Sequence, residues 1–223
     1  MRRLAAELLG TFALVFAGTG AIVINEISGG VITHAGVALT FGLVVLAMIY
    51  ALGDVSGAHF NPAVTLGFWA ARRFPANEIW RYLAAQLAGA LLASLMLKLI
   101  FPASQSLGAT HPAGPAMQSL VLEFILTFLL MFVILNVSTG AKEKGITAGI
   151  AVGAVIALEA MFAGPICGAS MNPARSLAPA VVSGRFNDLW IYLLAPVLGA
   201  LAAVPACFCI RENCCGPEKN DQP

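Results

Sequence analysis

GAHFNPAVT at residues 57–65 and GASMNPARS at residues 168–176 share the triplet Asn-Pro-Ala. The triplet occupies residues 61–63 and 172–174, and a short apolar run follows each copy, at about residues 62–71 and 173–182. Asn is a favoured helix N-cap, and Pro is favoured at the first helical position. Each triplet therefore predicts the start of a short helix.

The chain as a whole is strongly apolar. Of its 223 residues, 59% are hydrophobic and 10% are charged, whereas a soluble domain is usually about 25% charged. This composition predicts an integral membrane protein. The net charge of +1 gives no argument for a nucleic-acid partner, and three histidines without shared spacing give none for a catalytic metal. We expect no cofactor, and no catalytic nucleophile with its base stands out.

Six longer apolar runs predict transmembrane helices, at about residues 4–24, 35–52, 80–101, 119–138, 146–164 and 189–210. Each has roughly the 20 residues that a helix needs to cross the hydrocarbon core. The two runs after the triplets are too short to cross. Such half-helices occur where protein or a water-filled cavity surrounds them. The predicted fold is an all-α membrane protein with six transmembrane helices and two re-entrant half-helices.

The two halves of the chain resemble each other. AELLGTFALVF at 6–16 matches LEFILTFLLMF at 122–132, which pairs Glu7 with Glu123. One domain over 1–223 then contains a first repeat at about 3–101, a second at about 118–210, and a disordered cytoplasmic tail at 212–223. Each repeat has three spans, an odd number, so the second must enter the membrane upside down. The N-termini of the half-helices then meet near the midplane.

Basic residues predict the orientation, because cytoplasmic loops carry an excess of Lys and Arg. With both termini inside, the inner side receives Arg2, Arg3, Arg72, Arg73, Arg81, Lys142, Lys144, Arg211 and Lys219. The outer side receives only Lys98, Arg175 and Arg185. This asymmetry favours a multi-pass protein with cytoplasmic termini.

The repeated triplet has a chemical interpretation at the midplane. Each Asn carbonyl oxygen can accept a backbone N–H of its own half-helix, which leaves the amide NH2 free to point into a pore. Two positive dipole ends facing each other disfavour cations, whereas water is welcome. A single Asn-Pro is more often a plain turn signal. Two copies at corresponding points of a repeat favour the shared central site.

These motifs resemble the aquaporin (major intrinsic protein) family over essentially residues 3–210. The segment AGPICGASMNPARSLAP at 163–179 looks like the nodulin-26-like branch and its bacterial relatives. The resemblance implies a homotetramer in the cell (plasma or inner) membrane, with one passive pore per subunit. It also implies that the triplets line this pore through Asn61, Pro62, Ala63, Asn172, Pro173 and Ala174.

The resemblance also implies a selectivity filter near the outer face, formed by Phe41, Ala160, Ala169 and Arg175. An unpaired arginine in the membrane is costly, which supports a function for Arg175. Water-selective members of the family usually have histidine where this chain has Ala160, so the aperture should be wider and less polar. A shift of one residue would instead bring Glu159 or Met161 to the pore. The expected pore carbonyls belong to Ala58, His59, Phe60, Gly168, Ala169 and Ser170.

Three glutamates lie within apolar runs. Glu7 and Glu123 occupy matching repeat positions, and this pairing favours structural braces that accept N–H groups over a proton relay. Glu159 has no counterpart and no predicted role. At the C-terminal end, Cys207, Cys209, Cys214 and Cys215 should be reduced thiols on a cytoplasmic face.

The sequence thus predicts a passive channel for water and small uncharged solutes, such as glycerol, urea or metalloid acids, that excludes ions and protons. Two alternatives remain open: a strictly water-selective channel, and a secondary transporter, because inverted repeats also serve alternating access. The sequence does not identify the solute.

Overall fold

The computed structural model describes residues 1–138 and 142–210, with only the backbone of residues 142–146. The tail predicted at 212–223, with Cys214 and Cys215, lies outside the described residues. Every regular element within these ranges is helical: α1 Arg2–Ile27, α2 Thr33–Ser56, α3 Pro62–Ala70, a 3-10 turn Ala76–Glu78, α4 Ile79–Ile100, α5 Ala116–Val137, α6 Lys142–Cys167, α7 Pro173–Ser183 and α8 Leu189–Ile210.

Six helices of the described chain are long and apolar enough to cross a membrane, which confirms the predicted spans. The helices α3 and α7 contain 9 and 11 residues. At about 1.5 Å per residue they reach only about halfway across a hydrocarbon core of roughly 30 Å. The fold therefore has six spans and two half-helices, as predicted.

Helix packing follows the inverted repeat. The helix α1 packs against α2 and α4, and its counterpart α5 packs against α6 and α8. The halves are joined by α2 against α6, and each half-helix packs on a span of the other half, α3 on α8 and α7 on α4. Neither repeat therefore encloses its own half-helix without the other.

Glycines lie at close helix crossings in both halves. A Cβ on Gly89 of α4 would collide with the backbone of Leu8 in α1, and one on Gly199 of α8 would collide with Phe124 in α5. Gly42 of α2 and Gly153 of α6 each face the other's carbonyl oxygen. Small residues allow such close approach in membrane proteins. Because Gly42 and Gly153 contact each other symmetrically, this contact lies at the pseudo-twofold axis that relates the two halves.

One of the cysteines expected to be reduced is oxidised. Cys209 is free and exposed, but Cys207 is buried and disulfide-bonded, against the expectation of reduced thiols. Disulfide formation depends on how closely two Cβ atoms approach in space. Spacing along the chain does not reveal that distance.

Candidate functional site: a pore between two half-helix ends

Each triplet asparagine caps its own half-helix. The Asn61 Oδ1 accepts the backbone N–H of Ala63 at 2.9 Å. The Asn172 Oδ1 accepts those of Ala174 at 3.0 Å and Arg175 at 3.3 Å. Both asparagines are extended, and the proline that follows takes the first helical position. Contacts within three residues along the chain therefore cap both half-helices.

The asparagine amides also connect the two halves. Asn61 Nδ2 donates to the carbonyl of Met171 at 2.7 Å, and Asn172 Nδ2 donates to the carbonyl of Phe60 at 2.9 Å. The expectation that both amide hydrogens stay free was therefore wrong, because the opposed half-helices bring a carbonyl within reach of each amide. An amide NH2 has two hydrogens, so one donor per asparagine remains for the pore.

The segments before the triplets have a strained backbone with the same pattern in both halves. The φ angles are positive at four residues without glycine's freedom: 51° at Ala58, 51° at Phe60, 40° at Ala169 and 53° at Met171. Such conformations cost energy and persist where surrounding structure holds them.

Two buried glutamates hold these strained segments. Glu7 accepts the backbone N–H of His59 at 2.9 Å and of Phe60 at 2.8 Å. Glu123 accepts those of Ser170 at 2.7 Å and Met171 at 2.8 Å. Glu7 also accepts two side-chain bonds, from Ser56 Oγ and Gln86 Nε2, each 2.8 Å. The contacts are those of braces.

A chain of three cavities runs through the molecule. The central cavity, about 50 Å³, contains both asparagines in its wall, and a single water needs only about 10–15 Å³. One end opens beside Arg3, at the start of α1, into a cavity of about 610 Å³. The other opens beside Glu26, at the end of α1, into one of about 440 Å³. We call the end beside Arg3 the Val64 end and the end beside Glu26 the Arg175 end.

The residues predicted as a filter come together at the Arg175 end. The side chains that line both the central cavity and the cavity at this end are Phe41, Ala160, Ala169 and Arg175. The neighbours that a one-residue shift would select, Glu159 and Met161, are not among the lining residues. The predicted carbonyl residues Ala58, His59, Phe60, Ala169 and Ser170 line the central cavity, whereas Gly168 lines the Arg175 end.

Arg175 forms no ion pair with an acid among the described residues. It is 2% exposed, its Nη1 donates to the carbonyl of Gly108 at 2.8 Å, and its guanidinium carbon lies 5.1 Å from the centre of the Phe41 ring. A cation this close to an aromatic face is attracted by the ring. The one ion pair among the described side chains is Arg81–Glu78. The Arg175 charge therefore remains available to the cavity.

The aromatic side of this wall is set by a glycine. The Phe41 ring packs directly against Gly18 of α1, where a Cβ would collide with it. Ala160 and Ala169 contribute only methyl groups to the same wall. The wall thus combines one ring, one guanidinium and two small apolar groups.

His59 lies between the central cavity and the Val64 end, because it lines both. Its ring stacks on Phe68 with centroids 4.7 Å apart, and its Nδ1 is 3.1 Å from Thr65 Oγ1. The Phe74 and Tyr82 rings lie at 4.9 and 5.1 Å. The imidazole is thus packed in an aromatic cluster beside the pore.

Several contributors were not found by sequence reasoning. Gln86 and Ser56 complete the Glu7 brace, and a buried amide within an apolar run was a signal that could have indicated Gln86. The Gly108 carbonyl had no such signal in the sequence, because every residue type has a backbone carbonyl.

Glu159 is 1% exposed, and neither carboxyl oxygen has a hydrogen-bond partner among the described residues.

The family model for the major intrinsic proteins matches residues 1–206. The chain belongs to this family. Aquaporin NIP1-1 of Oryza sativa subsp. japonica is 51% identical over 212 residues, covering 95% of this chain and 75% of that protein. Nodulin-26 of Glycine max is 48% identical over 203 residues, covering 91% and 75%.

A solved structure of a major intrinsic protein shares the fold. The aquaglyceroporin of Plasmodium falciparum superimposes with a TM-score of 0.83 at 26% identity, covering 92% of this chain and 93% of that one. The inverted arrangement of six spans and two half-helices is therefore the fold of a known channel.

Proposed function

We propose that this chain forms a passive channel for water and small uncharged solutes such as glycerol. The observation that carries the proposal is the wall of Phe41, Ala160, Ala169 and Arg175 between two cavities, beyond which two half-helix N-termini face each other. Water moves through the central cavity in file, donating to backbone carbonyls and accepting from the asparagine amides.

Cations are rejected at two points. At the wall, the buried Arg175 guanidinium forms no ion pair with any described carboxylate. In the centre, the N-termini of α3 and α7 add two positive dipole ends. A neutral molecule with lone pairs crosses both regions, whereas a cation loses hydration without gaining a counter-charge.

The filter composition favours solutes larger than water. The Ala160 and Ala169 methyl groups leave width and an apolar surface for the carbon atoms of a polyol, while Arg175 donates to its hydroxyl oxygens. A histidine at position 160 would narrow this space and compete for the file. The fold of the Plasmodium falciparum aquaglyceroporin supports the same solute class.

The proposal includes assembly and orientation. The chain works as a homotetramer in the cell (plasma or inner) membrane, with both termini cytoplasmic and the Arg175 end outside. The distribution of Lys and Arg supports this orientation. Large apolar side chains are exposed along the spans, such as Leu39 and Leu43 on α2, and they suit contact with lipid or with other subunits.

The test is stopped-flow light scattering of proteoliposomes, with water and glycerol permeability measured on the same vesicles. We expect both to exceed empty vesicles, with no response to an imposed proton or sodium gradient. Glycerol uptake that follows such a gradient would indicate a transporter. Passage of water alone would refute the proposed solute range.

The matched variant is Ala160→His. We expect it to lower glycerol permeability about tenfold or more, equivalent to about 1.4 kcal/mol, while water permeability stays within about twofold. The control is Ser183→Ala, because Ser183 lines none of the three cavities. The neighbouring Gly184 is not used, because its positive φ would make an alanine strained. Unchanged glycerol passage in Ala160→His would show that residue 160 does not limit the pore.

A further inference from the structure

The position of the Arg175 guanidinium depends on one loop carbonyl. Its Nη1 donates to the Gly108 oxygen at 2.8 Å, and its Nε has no hydrogen-bond partner among the described residues. The loop that carries Gly108 joins α4 to α5. Whatever fixes the Gly108 carbonyl therefore also fixes the cation at the filter.

Gly108 is itself held tightly. Its φ is +69°, and a Cβ would lie 2.8 Å from the Thr19 Cβ and 3.0 Å from the Thr19 carbonyl oxygen. Its N–H donates to Ser106 Oγ at 3.1 Å. A left-handed glycine pressed on α1 thus has its donor fixed by a side chain and its acceptor used by Arg175.

Ser106 is fixed in turn by an acid at the edge of the cavity. Its hydroxyl donates to both carboxyl oxygens of Glu26, at 3.1 and 3.0 Å. Glu26 stands near the end of α1, exposed, and lines the same cavity as Ser106 and Arg175. A continuous set of contacts therefore runs from Glu26 through Ser106 and Gly108 to the guanidinium.

We propose that Glu26 and Ser106 are positioning residues that set the aperture of the filter by holding the Gly108 carbonyl against Arg175. The carboxylate orients the Ser106 hydroxyl, so that its lone pairs face the Gly108 N–H. Neither side chain lies at the wall itself. This inference rests on the proposed role of Arg175 in the filter.

The arrangement is specific to the Arg175 end. The residue equivalent to Arg175 in the first repeat is Val64, which needs no acceptor. A second tie of the same loop, Thr110 Oγ1 to Ser176 Oγ at 2.9 Å, anchors the loop to α7 but not to the guanidinium. Loss of the Ser106 contact should therefore loosen Gly108 while the loop stays attached.

The experiment measures the glycerol-to-water permeability ratio in proteoliposomes, normalised to folded protein. We expect Ser106→Ala and Glu26→Ala each to change the ratio about fivefold, the population shift that one ordinary hydrogen bond is worth. Glu26→Gln, whose amide oxygen still accepts, should change it less, and Ser106→Thr should restore it. Gln105→Ala is the control, because among the described residues that exposed neighbour donates only to Ala103, at 3.4 Å.

A double-mutant cycle separates positioning from general loop stability. In an Arg175→Ala background, adding Ser106→Ala should leave the ratio unchanged, because there is no guanidinium left to position. An additive effect would overturn the inference, as would wild-type ratios in both Ser106→Ala and Glu26→Ala. Should Ser106→Ala fold poorly, the exposed Glu26→Ala decides alone. If Arg175→Ala itself leaves the ratio unchanged, the proposed role of Arg175 in the filter is wrong, and the inference about Glu26 and Ser106 loses its basis.

Discussion

The two ends of the central cavity occupy equivalent places in the inverted repeat but differ in chemistry. The Arg175 end is walled by Phe41, Ala160, Ala169 and Arg175. Equivalent positions, counted from the triplets and from the Gly42–Gly153 contact, place Val152, Ile49, Ala58 and Val64 at the other end. At these four equivalent positions the Arg175 end therefore carries a cation and an aromatic ring, whereas the Val64 end carries only aliphatic side chains. His59 also lines the Val64 end.

The two ends share their backbone conformation and its supporting contacts, although their side chains differ. Both ends have an asparagine cap, positive φ angles before it, and a glutamate that binds two backbone N–H groups. Non-helical backbone inside a membrane needs these partners, so both repeats retain them. Selectivity needs only one constriction, so the side chains at the four equivalent positions of the second end are free to differ.

The two glutamate braces accept different numbers of hydrogen bonds, and removing the larger one should have the largest effect on the free energy of unfolding. Glu7→Ala would leave four donors without their acceptor, on Ser56, His59, Phe60 and Gln86. At about 1 kcal/mol or more each, the free energy of unfolding should fall by about 4 kcal/mol. Glu123→Ala strands two backbone donors and should cost about half as much.

The measurement is unfolding in denaturing detergent, followed by circular dichroism. The control is Glu78→Ala, whose surface ion pair with Arg81 should contribute less than about 1 kcal/mol. Equal losses for the two brace variants would contradict the comparison.

The asparagine caps give the next effect. Asn172 accepts two backbone N–H groups and Asn61 accepts one, and each also donates across the centre. We expect Asn61→Ala to cost about 1–2 kcal/mol and Asn172→Ala somewhat more, with lower water permeability per folded protein in both. The same unfolding and stopped-flow measurements check this. Normal permeability in both variants would show that the amides do not serve the pore.

Replacing Arg175 by its counterpart tests the charge difference directly. Arg175→Val copies Val64 and removes the one buried guanidinium from the wall. We expect cation or proton leak to rise about tenfold, which corresponds to about 1.4 kcal/mol of lost exclusion. Electrical recording in planar bilayers measures the leak. Arg185→Ala, on a neighbouring surface cavity, is the control, and a leak at background would mean that the half-helix dipoles exclude ions alone.

The smallest effect concerns the unmatched acid. The residue equivalent to Glu159 in the first repeat is Met48, an apolar side chain packed on the core. Because neither Glu159 oxygen has a hydrogen-bond partner among the described residues, Glu159→Met should be neutral or stabilising by about 1 kcal/mol. Thermal unfolding and water permeability together provide the check. A drop in permeability would give the carboxyl a role in transport.

Sequence reasoning found the elements of this site but not their connections. The Asn-Pro-Ala triplets predicted both half-helices, because capping depends on neighbours along the chain. The amide contacts with Phe60 and Met171 could not be predicted, since they join residues far apart in sequence. The family resemblance named Ala160, but Glu159 and Met161 stayed alternatives for a related reason. Its orientation depends on where α6 packs, and an apolar helix shows no clear polar face.

The sequence by itself determined the membrane class, the six spans, the inverted repeat and the two caps. Each depends on composition, on a pattern repeated along the chain, or on interactions within a few residues. Only the tertiary structure decided that residue 160, and not 159 or 161, lines the Arg175 end, that the Gly108 carbonyl accepts from the arginine, and that Glu26 and Ser106 stand behind Gly108. Those contacts depend on how helices and a loop pack in space, and no local pattern in the chain encodes that packing.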